Sequence, residues 1–139
     1  MYRSRQAVMQ YRQYVKTRPA VACEFCADLS HQMVEAREHV LIVKNLFPYT
    51  IWDCCTVVDH LMILPRQHTD TLSALSPAAK LAYIEAMGQY EAKGYDIYAR
   101  TAANTTKSIP HQHTHLIKLD RRQKKFIAYL RRPYFMFHK

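Results

Sequence analysis

Long apolar runs are missing from this sequence of 139 residues. No run approaches the length of a bilayer span, and the opening MYRSRQAVMQYRQYVK interrupts its apolar positions with Arg, Gln and Lys, unlike a secretory signal. Internal repeats and low-complexity segments are also missing, which argues against repeat arrays and tracts of biased composition. With 49% apolar residues, the chain has the size of one globular domain, and we expect a cytoplasmic protein with no membrane partner.

Acidic residues are in short supply. The chain has 11 Asp and Glu against 20 Lys and Arg, a formal net charge of +9, which favours an anionic partner such as a nucleotide or a nucleic acid. The basic residues crowd the two ends. We predict a basic N-terminal helical arm over residues 1–20, amphipathic through Val8, Tyr11 and Val15, and a basic C-terminal extension over residues 121–139 that packs on or near the domain. Each end is open to two interpretations, a solvated surface or a nucleic-acid contact.

A second CxxC motif is absent as well. Cys23 and Cys26 stand alone, which excludes the compact zinc finger whose ligands all lie within about thirty residues. The pair can still hold a metal ion if distant histidines complete the site, and zinc is the usual occupant in a cytosolic protein. A redox pair is the alternative, but TRPAVACEFCADLS lacks the strand-then-helix context of that motif. We interpret the adjacent Cys54 and Cys55 as buried thiols.

The rest of the chain alternates between short apolar runs and turns. EHVLIVKNLF and HLMILP predict strands, and YDIYARTA predicts another. A helix is predicted over residues 77–93, with Ser76 as N-cap, Pro77 in its first turn and Gly94 as its terminator. The turns between strands are too short for helical crossovers. We therefore predict a single α+β domain whose antiparallel sheet of about five strands is flanked by helices.

Three histidines alternate in IPHQHTHLIKL, at positions 111, 113 and 115. If residues 111–119 form a strand, the three rings stand on one face, roughly 6–7 Å apart. An imidazole with its ordinary pKa of about 6.5 is substantially neutral at pH 7 and offers a lone pair to a metal ion or to phosphorus. The row of histidines therefore predicts a site.

The segment SIPHQHTHLI resembles the triad motif of the histidine triad (HIT) superfamily of nucleotide hydrolases and transferases. DHLMILPRQHTDTLSAL is similar to the upstream signature of that superfamily, and the CxxC motif is similar to that of its zinc-containing branch. The likeness covers about residues 20–119 and implies a HIT domain over residues 21–120. It also implies a structural Zn²⁺ ion whose four ligands are Cys23, Cys26, His68 and His111.

The resemblance implies catalytic roles for His113, His115 and Ser108. His113 attacks the α-phosphate of a nucleotide, and water then cleaves the nucleotidyl-histidine to release a nucleoside monophosphate. The third triad position resembles glutamine in the transferase branches, so His115 implies a hydrolase. Ser108 lies near the phosphate and the scissile oxygen. The implied substrates are nucleoside phosphoramidates, adenylylated compounds and dinucleoside polyphosphates.

Three further residues are implied in substrate binding. His60 matches an additional histidine close to the triad, which contacts phosphate or orients a neighbour. Asn104 resembles an asparagine upstream of the triad, although its turn to Ser108 is shorter than in the family and has no glycine. Asp53 stands where an acidic residue contacts the ribose.

Assembly and turnover leave alternatives open. Superfamily members commonly form homodimers through the helix and an adjacent strand. Leu81, Ile84 and Gly88 share one face of the predicted helix, and this face packs either in the core or against a second copy of the chain. The alternative to a hydrolase is a zinc-stabilised protein of the same fold that binds nucleotide or RNA without turnover.

Overall fold

An antiparallel sheet with one long central strand organises the chain. The computed structural model describes residues 3–18, 20–124, 129–130 and 135–136. Two short 3₁₀ helices, Glu24–Cys26 and Ser30–Gln32, precede the sheet. The other elements, in chain order, are α1 (Arg5–Thr17), β1 (Met33–Ala36), β2 (Val40–Lys44), β3 (Ile51–Trp52), β4 (Cys55–Pro65), α2 (Pro77–Ala92), β5 (Tyr95–Ala99), β6 (Thr114–Leu119), β7 (Tyr129–Leu130) and β8 (Phe135–Met136).

The main sheet has six strands in the order β1-β2-β4-β6-β5, with β3 added at the start of β4. All of its pairings are antiparallel, and β7 pairs with β8 in a separate two-stranded sheet. The predicted α+β class and antiparallel sheet are confirmed, with one strand more than predicted. None of the described helices has the length and apolar character needed to span a membrane.

The additional strand β3 exists because of a tight hairpin. Asp53 and Cys54 connect β3 to β4, and their φ angles are +45° and +59°. Positive φ at both central residues is the geometry of a type I′ turn, whose twist matches that of the flanking strands. The turn makes Cys54 exposed, so its prediction as a buried thiol is wrong, whereas Cys55 is buried as predicted.

Helix α2 begins and ends close to the predicted positions. The Ser76 hydroxyl accepts a hydrogen bond from the Ala79 N–H, and Gly94 adopts φ +82° just after the helix ends. The helix packs on the sheet through Ala79, Tyr83, Ala86 and Tyr90. Leu81 and Ile84 point away from the core, each 59% exposed.

Strand β2 and the second half of β4 are buried on both faces. On one face, Ile42 and Ile63 pack with α2. On the other face, Val43 and Met62 pack with Phe25 from the first 3₁₀ helix. Because successive side chains of a strand point to opposite faces, His60 lies on the same face as Met62. The CxxC segment and the histidines therefore share one face of the sheet.

The histidine row is not a continuous strand. Strand β6 begins at Thr114, so only His115 lies within it, and the prediction of a strand over residues 111–119 is wrong at its start. The preceding segment bonds instead to the loop after β4, where the Gln112 N–H donates to the Thr69 carbonyl at 2.6 Å. After β6, the Lys124 N–H donates to the Cys54 carbonyl at 2.7 Å. Most of the predicted C-terminal extension beyond that residue lies outside the described part of the chain.

Candidate functional site

Two cysteines and two histidines converge beside the end of β4. Cys23 directly precedes the first 3₁₀ helix and Cys26 is its last residue, His68 follows β4, and His111 precedes β6. The Cys26 Sγ lies 3.3 Å from the His68 Nδ1 and 3.4 Å from the His111 Nδ1, and the Cys23 Sγ lies 3.5 Å from the His111 Nδ1. One ligand atom from each residue lies within 4.8 Å of all the others. These four side chains, the metal cluster, can bind one metal ion.

The His111 ring is oriented for this cluster by a backbone carbonyl. Its Nε2 lies 2.9 Å from the Pro65 oxygen, and because a carbonyl only accepts, the proton must be on Nε2. The lone pair is therefore on Nδ1, which faces the two thiols. Metal-binding histidines typically donate their other N–H to a carbonyl or carboxylate in this way. Burial also lowers the pKa of His111, which favours the neutral ring.

The His113 ring carries its proton on the opposite nitrogen. Its Nδ1 lies 2.9 Å from the His111 oxygen, so Nδ1 donates and Nε2 keeps the lone pair. Only 7% of the residue is exposed, and burial is the main cause that lowers its pKa. At neutral pH the Nε2 of His113 is therefore an unprotonated nitrogen, as a nucleophile requires.

A hydrogen-bond chain assigns the protons of His60 and His115. The Tyr49 N–H donates to the His60 Nδ1 at 3.1 Å, so the proton of neutral His60 is on Nε2. That nitrogen lies 3.0 Å from the His115 Nδ1, which accepts from it and leaves the His115 proton on Nε2. Burial lowers the pKa of His60 to about 4 and that of His115 still further. We call His60, His113 and His115 the histidine group.

The sequence matches no protein-family model and no curated protein. Solved structures do match. A HIT family hydrolase from Legionella pneumophila superposes with a TM-score of 0.52 at 19% identity, covering 73% of this chain and 94% of that one. A HIT family hydrolase from Clostridium thermocellum superposes with a TM-score of 0.55 at 17% identity, covering 77% of this chain and 99% of that one. A histidine triad nucleotide-binding protein from Candida albicans superposes with a TM-score of 0.56 at 13% identity, covering 81% of this chain and 86% of that one. This chain has the HIT fold. At such identities the likeness is one of fold, so function must be argued from the site.

Aromatic rings surround the histidine group within the HIT fold. Tyr49 stacks on His60, with ring centroids 4.8 Å apart, and Tyr98 stacks on His115 at 5.9 Å. Trp52 of strand β3 contacts both tyrosine rings, at 5.5 and 4.9 Å. These rings exclude water from the buried side of the imidazoles, which accounts for their lowered pKa values.

A cavity of about 330 Å³ opens on the other side of His113 and His115. Its walls are mostly apolar and aromatic, and its polar lining includes Asn45 and the predicted Ser108. Apolar walls with a few convergent polar groups are typical of a small-molecule site. Among the apolar and aromatic lining residues are Tyr11, Tyr14, Phe25, Leu29, Phe47 and Ile109.

Two predicted binding residues lie apart from this cavity. Asp53 is exposed at the tip of the β3–β4 turn. Asn104 is exposed, and its Oδ1 accepts hydrogen bonds from the Thr106 N–H and hydroxyl, which engages the amide in a local turn. Within the described part of the chain, neither side chain lines the cavity. The structure thus brings His60, Ser108, His113 and His115 to one place, but not Asp53 or Asn104.

Sequence reasoning missed Asn45 and Tyr49. Asn45 directly follows β2, and its Oδ1 accepts from the Phe47 N–H at 2.9 Å. Its Nδ2 lies 3.1 Å from the His60 Nε2, but both nitrogens carry protons, so this contact is not a hydrogen bond. Tyr49 orients His60 through its backbone N–H. A polar residue placed where a buried strand ends was the available signal for Asn45. For the hydrogen bond of Tyr49 no sequence signal existed, because it comes from a main-chain atom.

Proposed function

We propose that this protein is a HIT-type nucleotide hydrolase. It cleaves at the α-phosphate of a nucleoside phosphoramidate, an adenylylated compound or a dinucleoside polyphosphate and releases a nucleoside monophosphate. The observation that carries this proposal is the proton assignment of His113, whose Nδ1 donates to the His111 carbonyl and whose Nε2 lone pair is left for chemistry. This nitrogen belongs to a residue that lines the cavity together with His115.

The proposed reaction has two displacements at phosphorus. The His113 Nε2 attacks in line, and the leaving group departs with the electron pair of the broken P–O or P–N bond. The ring gains positive charge, which the His111 carbonyl stabilises through its hydrogen bond from Nδ1. The His115 Nε2–H is available to donate to a phosphoryl oxygen or to the bridging atom. The leaving group takes up a proton from solvent. Water then attacks the same phosphorus and releases a proton to solvent, while the P–N bond breaks and its electron pair returns to the His113 Nε2.

Two residues support this reaction without forming bonds to phosphorus. His60 is a positioning residue, because its Nε2–H fixes the proton of His115 on the nitrogen that can reach substrate. Ser108 is exposed in the cavity lining, where its hydroxyl can donate to a non-bridging oxygen or to the leaving atom. The presence of His115 at the third triad position supports water as the acceptor and therefore hydrolysis.

We assign the metal cluster to one structural Zn²⁺ ion. Zinc bonds of about 2.3 Å to sulfur and 2.0–2.1 Å to nitrogen place tetrahedral S and N ligands about 3.5 Å apart. The recorded S to N distances of 3.3 to 3.5 Å fit that requirement. Because Cys23, Cys26, His68 and His111 supply all four ligands, the ion has no position for substrate. It supplies stability by joining the CxxC segment to the two histidine segments.

We also propose a cytoplasmic homodimer. The four cysteines are free thiols, as expected in a reducing compartment. The exposed Leu81 and Ile84 provide an apolar face of α2 for a second copy. Sedimentation at micromolar concentration tests this: we expect a dimer mass for the wild type and a monomer mass for Ile84→Glu. A wild-type monomer would contradict the assembly.

Hydrolysis in ¹⁸O-labelled water tests the enzymatic proposal. A nucleoside phosphoramidate and a dinucleoside polyphosphate are each incubated with the zinc-loaded protein, and the products are analysed by mass spectrometry. We expect one labelled oxygen on the released nucleoside monophosphate, without a strict requirement for magnesium. Label confined to the leaving fragment would contradict attack at the α-phosphorus. Nucleotide or RNA binding without turnover would instead support the alternative, a binding protein of the same fold that uses its basic termini.

A further inference from the structure

The N-terminal arm is docked against the connection between β2 and β3. The Arg3 Nε–H donates to the Phe47 carbonyl at 3.0 Å, and the Ser4 N–H donates to the Thr50 Oγ1 at 2.8 Å. Tyr11 of α1 packs edge-on against the Phe47 ring at 5.2 Å. The same connection carries the Tyr49 N–H that holds His60. The arm and the histidine group are therefore attached to one short segment.

Arg3 is the residue of the arm that lies between α1 and the histidine group. Its guanidinium carbon is 5.4 Å from the centroid of the Tyr11 ring and 5.0 Å from that of the Tyr49 ring. The Tyr49 ring is in turn 5.7 Å from the His115 ring. Arg3 lines the cavity together with His113 and His115. The positive charge of Arg3 contributes to the lowered pKa of His60 and His115, in agreement with this proximity.

The acidic groups of the cavity are already engaged elsewhere. Glu24 forms an ion pair with Arg18 and accepts from the Tyr14 hydroxyl at 3.1 Å. Asp28 accepts from the N–H and the hydroxyl of Ser30. Among residues 3–18 and 20–124, no carboxylate pairs with Arg3, and only its Nε has a hydrogen-bond acceptor. Arg3 is half-buried and lines a mostly apolar cavity, and a guanidinium whose terminal N–H groups have no acceptor among those residues is suited to an anion.

We infer that Arg3 binds phosphate oxygens of the nucleotide in this cavity, so that the N-terminal arm supplies a specificity-determining residue of the site. The inference rests on the proposed function. A guanidinium donates two parallel N–H bonds to a phosphate, and such charge-assisted bonds are stronger than neutral ones. Arg3 then distinguishes a nucleotide from the corresponding nucleoside, while the aromatic walls contact the parts that both share.

Calorimetric titration of the full-length, zinc-loaded protein tests this assignment. The ligands are the four common nucleoside monophosphates and their nucleosides, and the variants are Arg3→Met and Arg3→Lys. Arg5→Met is the matched control, because Arg5 is exposed, lies two residues further along the chain, and the substitution also removes one positive charge. We expect Arg3→Met to weaken binding of the preferred monophosphate by about tenfold or more. Binding of the corresponding nucleoside should weaken by less than about twofold. The salt dependence of monophosphate binding should also decrease. Arg3→Lys should restore part of the monophosphate affinity, and Arg5→Met should leave it unchanged.

Three outcomes would overturn the inference. Equal losses for monophosphate and nucleoside in Arg3→Met would mean that Arg3 only docks the arm. An unchanged monophosphate affinity in that variant would mean that it contacts no phosphate, while the proposed hydrolase would stand. Failure of the wild-type protein to bind any nucleoside monophosphate would count against the proposed function and the inference together.

Discussion

His111 and His113 are separated by a single residue, yet in each ring a different nitrogen donates to a backbone carbonyl. The Pro65 oxygen accepts from the Nε2 of His111, and the His111 oxygen accepts from the Nδ1 of His113. The first ring therefore turns its lone pair to two thiols, and the second keeps its lone pair on Nε2, the nitrogen to which we assign the attack on phosphorus. Neighbouring positions of one motif acquire different chemistry from the placement of two carbonyl oxygens.

The two groups of residues also differ in what holds them. Cys26 and His68 of the metal cluster are exposed, so half of its ligands lie at the surface, where a bound ion would join them. His60, His113 and His115 are buried, at 4%, 7% and 6% exposure, and hydrogen bonds and ring contacts position them. Loss of the metal ion should therefore destabilise the metal cluster directly. The histidine group should instead be sensitive to the removal of one of its own imidazoles.

Removing the proposed nucleophile should produce the largest effect. We expect His113→Ala to lower turnover by about 10⁴-fold or more, because His113 is the residue to which we assign the attack on phosphorus. Bound zinc and the affinity for nucleoside monophosphate should stay close to the wild-type values. Rapid-quench kinetics, metal analysis and calorimetry measure the three quantities. Turnover within tenfold of the wild type would break the distinction between the two groups.

The metal cluster should respond to the loss of one thiol. We expect Cys26→Ser to lower the zinc content below about one ion per chain and the melting temperature by about 10 °C or more, because metal-binding energy becomes folding energy. Cys54→Ser is the matched control, since that thiol is exposed and lies outside the cluster. Metal analysis and calorimetric melting provide the readout. Equal stability of the two variants would contradict the assignment of a structural metal.

Acid should weaken the fold through His60. Its pKa is about 4 in the folded protein against about 6.5 unfolded, so its contribution to stability is complete above pH 6.5. As the pH falls from 6.5 to 4, the unfolded chain takes up the proton first, and up to about 3 kcal/mol of unfolding free energy is lost. Urea unfolding at pH 7.5 and 4.5 should show a smaller pH-dependent loss in His60→Phe than in the wild type. The same loss in both proteins would mean that His60 already titrates normally.

The smallest effect separates Asn45, which lines the cavity, from Asp53, which does not. We expect Asn45→Ala to lower kcat/KM by about tenfold, because the amide that accepts from the Phe47 N–H and lies beside His60 is lost. Asp53→Ala should change kcat/KM by less than about twofold, because Asp53 is exposed at a turn tip. Steady-state kinetics on the phosphoramidate compares them. A larger effect at Asp53 would restore the role that the family pattern implies for it.

Sequence patterns predicted the elements whose signal is local. The N-cap Ser76 and the terminator Gly94 bound α2 because each satisfies or permits a backbone geometry within a few residues. β3 was missed because it is two residues long and depends on positive φ at Asp53 and Cys54. The start of β6 was misplaced because the Gln112 N–H bonds to Thr69, which is distant in sequence.

The candidate site shows the same division. Its chemistry-bearing residues are identifiable by type and spacing, because thiolates and imidazoles in these patterns have few other uses. Asp53 and Asn104 resembled family positions in the linear order, but Asp53 lies in a hairpin turn, Asn104 accepts hydrogen bonds within a local turn, and neither residue lines the cavity. The position of Asn45 beside His60 depends on how β2 ends against β4, which no linear pattern specifies.

The sequence by itself determined which residues carry the chemistry: four possible metal ligands, three alternating histidines and an excess of positive charge. Tertiary structure decided which nitrogen of each ring keeps a lone pair. That nitrogen is fixed by the partner of the other one, and those partners are the Pro65 and His111 carbonyls and the Tyr49 N–H. Main-chain atoms are the same in every residue, so their placement is set by the fold and leaves no mark in the sequence.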